Sequence, residues 1–201
     1  EMCLRLVGSE MCIRDRGIHY AKAWKELKAL AEQWNIPVTT SIEGKSAFPE
    51  DHPLSLGSGG RANSRPVKRY LEESDLILGL GVSFALTAFG VPMPPGKKII
   101  HATLDPMDLN KDVPADIGLI GDAKLTLAAL NSELSNADNS KAAARANEPE
   151  KIKRLKDEWM QEWLPKLTNN EAPINPYRVV AELNRICLLY TSPSPRDVST
   201  S

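Results

Sequence analysis

Two stretches of this chain, Asp75–Gly81 (DLILGLG) and Lys97–Asp105 (KKIIHATLD), carry apolar runs that do not alternate with polar residues. A strand with one wet face alternates with a period of two, so a run without alternation belongs to a strand covered on both faces. Sheets of such strands are parallel, because each parallel connection crosses over and lays a helix on a face. Ile36–Ser41 (IPVTTS) reads as a buried strand and Ile117–Gly121 (IGLIG) as a further short strand.

Helical signals alternate with these strands. From His19 to Trp34, apolar residues fall at Tyr20, Ala23, Trp24, Leu27, Leu30, Ala31 and Trp34, a 3.6-residue rhythm with Asn35 as the stop. Pro66 opens a second helix with Val67, Tyr70 and Leu71 on one face. Asp122 is placed to cap a third, AKLTLAALNSEL. The order helix, strand, helix, strand, strand, strand, helix predicts an α/β fold: a doubly wound parallel sheet in a three-layer α/β/α, Rossmann-like arrangement. Such a unit opens with a strand, whereas this chain enters at a helix after GIHY. The first, central strand is therefore expected to be truncated.

The two ends read as foreign to this pattern. Val7–Arg16 (VGSEMCIRDR) and Cys187–Asp197 (CLLYTSPSPRD) lack helical or strand periodicity. A back-translation of the first, gtg ggc tcg gag atg tgt ata aga gac ag, gives on its complementary strand, one base out of frame, Cys-Leu-Leu-Tyr-Thr-Ser-Pro-Ser-Pro. That is the start of the second. The expectation is that residues 1–16 and 187–201 derive from a translated sequencing adapter and lie outside the native fold. Residues 17–135 then form the domain, and 136–175 a polar linker followed by a charged amphipathic helix with Leu155, Trp159 and Trp163 on one side. At 176–186, Asn175 and Pro176 signal the start of a helix that opens another, truncated domain.

All three cysteines, Cys3, Cys12 and Cys187, fall in those ends, so neither a disulfide nor a thiolate metal site is argued and a reducing compartment is expected. The net charge of -1 favours neither nucleic acid nor an anionic membrane as a partner. With no apolar run of about 18 residues and no signal peptide, the expected location is the cytoplasm.

In open α/β sheets ligands lie outside the carboxyl ends of the strands. Three glycine- or proline-rich loops, Ile42–Arg65, Val82–Gly96 and Pro106–Pro114, are expected there around one crevice. GLGVSF echoes a dinucleotide-binding glycine turn but has Phe84 at the third glycine, so a tight turn after a buried strand is the better reading. Lys45 reads as solvated, His52 as a turn-stabilising side chain, and Asp105, Asp108 and Asp112 as caps of turns around Pro106 rather than a metal cluster. No catalytic set assembles from the residue pattern.

Four segments in order, PVTTSIEGKSAFPEDHPLSLGSGG, ESDLILGLGVSF, KKIIHATLDPMDLNKD and GDAKLTLAAL, closely resemble the central domain of thiamine-diphosphate-dependent enzymes of the acetolactate synthase large-subunit type. GIHYAKAWKELKALAEQWNIP is similar to that domain's first helix, and INPYRVVAEL to the entry of the C-terminal catalytic domain. The resemblance implies a three-domain parent that decarboxylates or ligates 2-oxo acids with thiamine diphosphate and Mg²⁺. Those cofactors would be held by the N- and C-terminal domains, the partners missing from this chain, in a homodimer or homotetramer. It implies no catalytic residue and no metal ligand here.

In flavin-containing members the central domain binds FAD along the carboxyl edge. Carried over residue by residue, that edge comprises Thr40, Ser41 and Ile42, Gly60, Gly81 and Ser83, Thr103 and Leu104, and Gly121, Asp122 and Ala123. This chain has Gly60-Arg61-Ala62-Asn63 where those members have Gly-Met-His-Gly, and Ala85-Leu86-Thr87 for an Asp-Asp-Arg triplet. The crevice is expected to hold FAD, another nucleotide such as ADP, or nothing. Two other readings stand beside the enzyme-fragment one: a standalone FAD- or NAD-type nucleotide-binding module, and a purely structural spacer.

Overall fold

A computed structural model describes residues 4–8, 17–60, 63–85, 93–138 and 140–187. The chain divides into two compact units, Glu1–Leu155 and Lys156–Ser201. The first holds a six-stranded, wholly parallel sheet in the order β3-β2-β1-β4-β5-β6. Its strands are β1 (Leu4–Gly8), β2 (Val38–Ser41), β3 (Ser55–Gly59), β4 (Leu76–Leu80), β5 (Lys98–Thr103) and β6 (Ile117–Ile120). Its helices are α1 (Gly17–Tyr20), α2 (Trp24–Trp34), α3 (Arg65–Glu73), α4 (Ala123–Ser135) and α5 (Ser140–Ala144). α6 (Glu148–Leu167) runs from the first unit into the second, which also holds α7 (Pro176–Cys187).

The doubly wound parallel sheet is as the apolar runs predict, but two strands differ from the sequence reading. The central position expected to be vacant is occupied by Leu4–Gly8, inside the segment set aside as foreign. There Leu6 lies opposite Val38 on one side and Leu78 on the other. Two neighbours that each present a row of unpaired N–H and C=O groups make this the position with the strongest demand for a strand. Ser55–Gly59, expected to be loop, forms edge strand β3 beside β2. Its serines and glycines carry no β signal, and pairing with β2 alone makes it a strand.

Register places Leu76, Leu78, Leu80, Ile100, Ala102 and Leu119 on one face and Ile77, Ile99 and His101 on the other. The β1–β2 and β3–β4 crossovers travel in opposite directions, so right-handed connections put α2 and α3 on opposite faces. Beside α2 lies α4, tied by Asn131 Nδ2 donating to Glu26 O at 3.0 Å. α5 follows through Asn35 Nδ2 to Ala142 O at 3.1 Å. On the α3 face, α3 itself packs by β3. Gly79 and Gly118 have no side chain, and Phe84 and Leu109 occupy the space where each would have one.

Local signals explain the element ends. The predicted His19–Trp34 helix is broken at Lys22, whose φ is 50°, into α1 and α2. The break lets Trp24 Nε1 donate to His19 Nδ1 at 3.0 Å and leaves Tyr20, expected on the buried face, exposed. Asn35 ends α2 in the left-handed conformation, its N–H donating to Ala31 O. Asp122 caps α4, accepting from Lys124 N at 2.9 Å and Leu125 N at 3.1 Å.

The segment 136–175, read as a linker followed by an amphipathic helix, carries α5 and the whole of α6. Ala142, Glu148, Ile152 and Leu155 are buried in the first unit. Buried Glu148 is compensated by Tyr70 Oη, which donates at 2.7 Å, and by Lys151 Nζ at 2.8 Å. In the second unit, Trp163 stacks edge-on with Trp159 and with Tyr177, at centroid distances of 6.1 and 5.1 Å, and Lys166 Nζ sits 4.4 Å over the Trp163 ring. Asn175 Oδ1 accepts from Tyr177 N at 3.0 Å and starts α7, as its position before Pro176 predicts. Among the described residues no helix is long and apolar enough to cross a membrane.

Candidate functional site

The loops that follow β4, β5 and β6 leave the sheet at its carboxyl edge and enclose, with the start of α1, a crevice of about 480 Å³. Gly17, Tyr20, Gly81, Ala102, Thr103, Leu104, Gly121 and Ala123 line it. So do Asp105, Pro106 and Asp108 of the loop that begins with the 3₁₀ turn Pro106–Asp108. A volume of this size lies within the range of about 300–1,000 Å³ found for small-molecule sites.

Its back wall depends on two glycines. Gly81 takes φ +62°, donates its N–H to Ala102 O at 2.8 Å, and lies backbone to backbone against Gly17. A Cβ on Gly17 would come within 2.5 Å of Gly81 Cα, and one on Gly81 within 2.7 Å of Gly17 Cα. Only glycine at both positions permits that approach, which brings the first turn of α1 to the end of β4. GLGVSF is thus a tight turn after a buried strand, the reading preferred for it over a nucleotide fingerprint.

Behind the turn, His101 is fully buried. Its Nε2 pairs with Val82 O at 2.5 Å, and its ring meets Phe84 edge-on at 4.9 Å. Burial lowers its pKa from the ordinary value, outweighing the Val82 hydrogen bond and the Asp108 charge, both of which raise it. A neutral imidazole donating from Nε2 satisfies Val82 O; Nδ1 has no hydrogen-bond partner. His101 therefore fixes the 82–84 turn behind Gly81 and does not line the crevice.

Of the eleven residues carried over to a ligand edge, Gly81, Thr103, Leu104, Gly121 and Ala123 come together in the crevice. Thr40 and Ser41, at the end of β2, are buried away from it. Thr40 pairs with Ser58 Oγ at 3.2 Å, and Ser41 Oγ accepts from Gly44 N at 3.0 Å. Ile42 is exposed, Gly60 N donates to Asn63 Oδ1 at 2.9 Å, and Ser83 is buried behind the turn. Asp122 serves as the α4 cap. Of the three loops expected at one crevice, only Pro106–Pro114 supplies lining among the described residues; Val82–Gly96 supplies none, and neither does Ile42–Arg65, because β3 interrupts it and β2 and β1 stand between it and β4.

The Ile42–Arg65 loop is instead the crossover between parallel neighbours β2 and β3, a connection that needs a dozen or more residues. Phe48, Ala47 and Leu54 bury it in the core. His52 holds its turn, Nδ1 accepting from Leu54 N at 3.1 Å while Nε2 meets Glu32 Oε1 at 3.1 Å, in the turn-stabilising role read for it. Lys45 is exposed and lies 3.5 Å from Glu50.

Gly17, Tyr20, Ala102, Asp105, Pro106 and Asp108 line the crevice without having been singled out for it. Asp105 was read as a turn cap and is one, accepting from Met107 N at 2.9 Å. The chemistry of this lining is one-sided. Among the described lining residues Asp105 and Asp108 are the only charged side chains, and Asp122 holds the amides of Lys124 and Leu125 at the start of α4. The described lining sets two carboxylates, as oxygen acceptors, beside apolar walls. They do not suit a diphosphate, for which the described lining supplies no cation.

Comparison with known proteins places this geometry. The family model described as thiamine pyrophosphate enzyme, central domain, matches residues 11–130. The probable acetolactate synthase large subunit of Methanococcus aeolicus is 32% identical over 176 residues, covering 83% of this chain and 28% of that protein. Its counterpart from Methanocaldococcus jannaschii is 33% identical over 172 residues, covering 85% and 28%. A solved structure of a thiamin diphosphate-dependent enzyme from Mycobacterium smegmatis superposes with a TM-score of 0.50 at 26% identity, over 64% of this chain and 24% of that one. The chain thus spans 28% of the length of the two archaeal relatives.

Proposed function

We propose, since the chain belongs to the thiamine pyrophosphate enzyme family as its central domain, that it is the middle of a longer enzyme of the acetolactate synthase large-subunit type. That enzyme decarboxylates or ligates 2-oxo acids in the cytoplasm as a homodimer or homotetramer. Thiamine diphosphate is the cofactor of the family; when bound it supplies the electron sink for carbanion chemistry. In this reading it is held with Mg²⁺ by domains on either side, and the domain described here contributes no catalytic residue. Its part is to set the spacing and orientation of its neighbours. FAD is not assigned to the crevice, for want of a described cation to meet its diphosphate.

The observation that carries the reading is the pairing of a doubly wound sheet with a relative at 32% identity that extends well beyond it. α7 adds support: Val179, Val180, Leu183 and Ile186 are exposed along it, an apolar stripe suited to the opening helix of a further domain. Residues 1–16 and 187–201 are, in this reading, adapter-derived, and Leu4–Gly8 stands in the sheet where the native first strand pairs.

Sequencing the source DNA across both junctions tests this directly. Upstream of Gly17 the native frame is expected to encode an apolar strand and a glycine-rich turn. Downstream of Ile186 it is expected to run on into a Gly-Asp-Gly with a later Asn. A stop codon directly after Ile186 would overturn the assignment.

A further inference from the structure

At the opposite end of the sheet, between its α2/α4 face and those helices, lies a second cavity of about 600 Å³. Leu76, Leu78, Ile100, Ile117 and Leu119 form its floor. Leu30 and Trp34 of α2 and Leu130 and Leu134 of α4 form its roof. Ala137, Asp138 and Arg145 stand at the end where α4 gives way to α5. On the β6 side the cavity reaches the sheet edge, where Ile117 is 52% exposed.

Among the described residues, two donors in this lining lack acceptors. Trp34 is 7% exposed, and its Nε1–H is buried without a hydrogen-bond partner; Arg145 Nε is buried and unpartnered as well. A buried donor left unmade costs the full desolvation of the group, so natural cores rarely keep one. The remaining polar group, Asp138, does not answer them, since its oxygens accept from Ser140 N at 3.0 Å and Ser140 Oγ at 2.6 Å. What the site lacks is an oxygen acceptor joined to apolar bulk. A guanidinium selects a carboxylate over a neutral acceptor, because charge-assisted hydrogen bonds are the stronger kind.

We infer that this cavity is a binding site for an aliphatic monocarboxylate, its tail between the sheet and the α2/α4 layer and its carboxylate at the Arg145 end. Water occupies about 30 Å³ per molecule in the liquid, so the volume holds on the order of twenty such units and accepts a tail of about ten carbons. Filling it with an apolar tail adds dispersion contacts that its lining otherwise forgoes. The site is separate from the carboxyl-edge crevice: no residue lines both.

The test titrates decanoate, with decan-1-ol as the uncharged comparator, into the folded 201-residue chain by calorimetry, while the Trp34 indole N–H resonance is followed by NMR. Decanoate is expected to bind with a stoichiometry of one and to shift that resonance. Arg145→Gln is expected to weaken decanoate by about tenfold or more and decanol by less than about twofold, as loss of a charge-assisted hydrogen bond requires. Leu130→Trp, which fills the cavity from α4, is expected to abolish binding of both, with circular dichroism verifying that each variant keeps the parent fold. Absence of saturable decanoate binding, an unmoved Trp34 resonance, or a folded Leu130→Trp variant that binds like the parent would each overturn the assignment. So would Arg145→Gln binding decanoate unchanged.

Discussion

The two hollows of this domain are close in size and opposite in construction. The carboxyl-edge crevice is shaped by backbone: two glycines in contact, a carbonyl-anchored turn and a capped 3₁₀ segment, with the aspartate Asp105 engaged in capping. The cavity at the other end is shaped by side chains of regular elements, large and apolar, with two donors left over. A surface made by backbone geometry tolerates little change in residue type, because a Cβ has nowhere to go. A surface made by side chains responds to volume, in proportion to the methylenes removed.

The comparison breaks most readily at Leu30, which is fully buried under the α2 layer and borders the cavity. Leu30→Ala is expected to cost about 3–4 kcal/mol in urea unfolding, within the usual span for buried leucine, because a void already present beside it limits collapse. A loss below about 1 kcal/mol would mean that the layer is not packed as described. Next in size is Gly81→Ala. The positive φ alone costs about 1–2 kcal/mol for a residue with a Cβ, and contact with Gly17 Cα forces the α1 start to shift. A drop of about 2–3 kcal/mol is expected, confined in amide exchange to the ends of β4 and α1. An unchanged midpoint would show that the two backbones are not in contact.

The same contrast explains what could be read in advance. DLILGLG and KKIIHATLD announced β4 and β5, since a doubly covered strand leaves its mark in every residue. Asn35 and Asp122 announced helix ends, because capping is local chemistry. Gly81, Thr103, Leu104, Gly121 and Ala123 were found through a resemblance that tracks the strand ends. Ser55–Gly59 was not legible, as its strand state comes from β2 beside it. Leu4–Gly8 was set aside with its flanks, and a five-residue segment has too little pattern to show that it would pair on both sides. The amino-end cavity was invisible for a further reason. Its walls come from five elements far apart in sequence, and Trp34 and Arg145 look like an ordinary core aromatic and a surface cation until the fold removes their partners.

The smallest expected effect sharpens the backbone side of the comparison through pH. His101 is neutral when buried, and its folded-state pKa lies below the ordinary value of about 6.5. The unfolded chain therefore binds the extra proton first. His101's contribution is fully present above about pH 6.5 and falls as the pH drops from there toward the lowered folded-state value. In His101→Gln the side-chain amide can still donate toward Val82 O but does not titrate. The thermal midpoint of the parent is expected to exceed that of the variant most at about pH 7.5, and the gap to narrow by about pH 5.5. A gap that stays constant over that range would show that the ring is not shielded, and that the turn behind Gly81 is held by something other than a neutral imidazole.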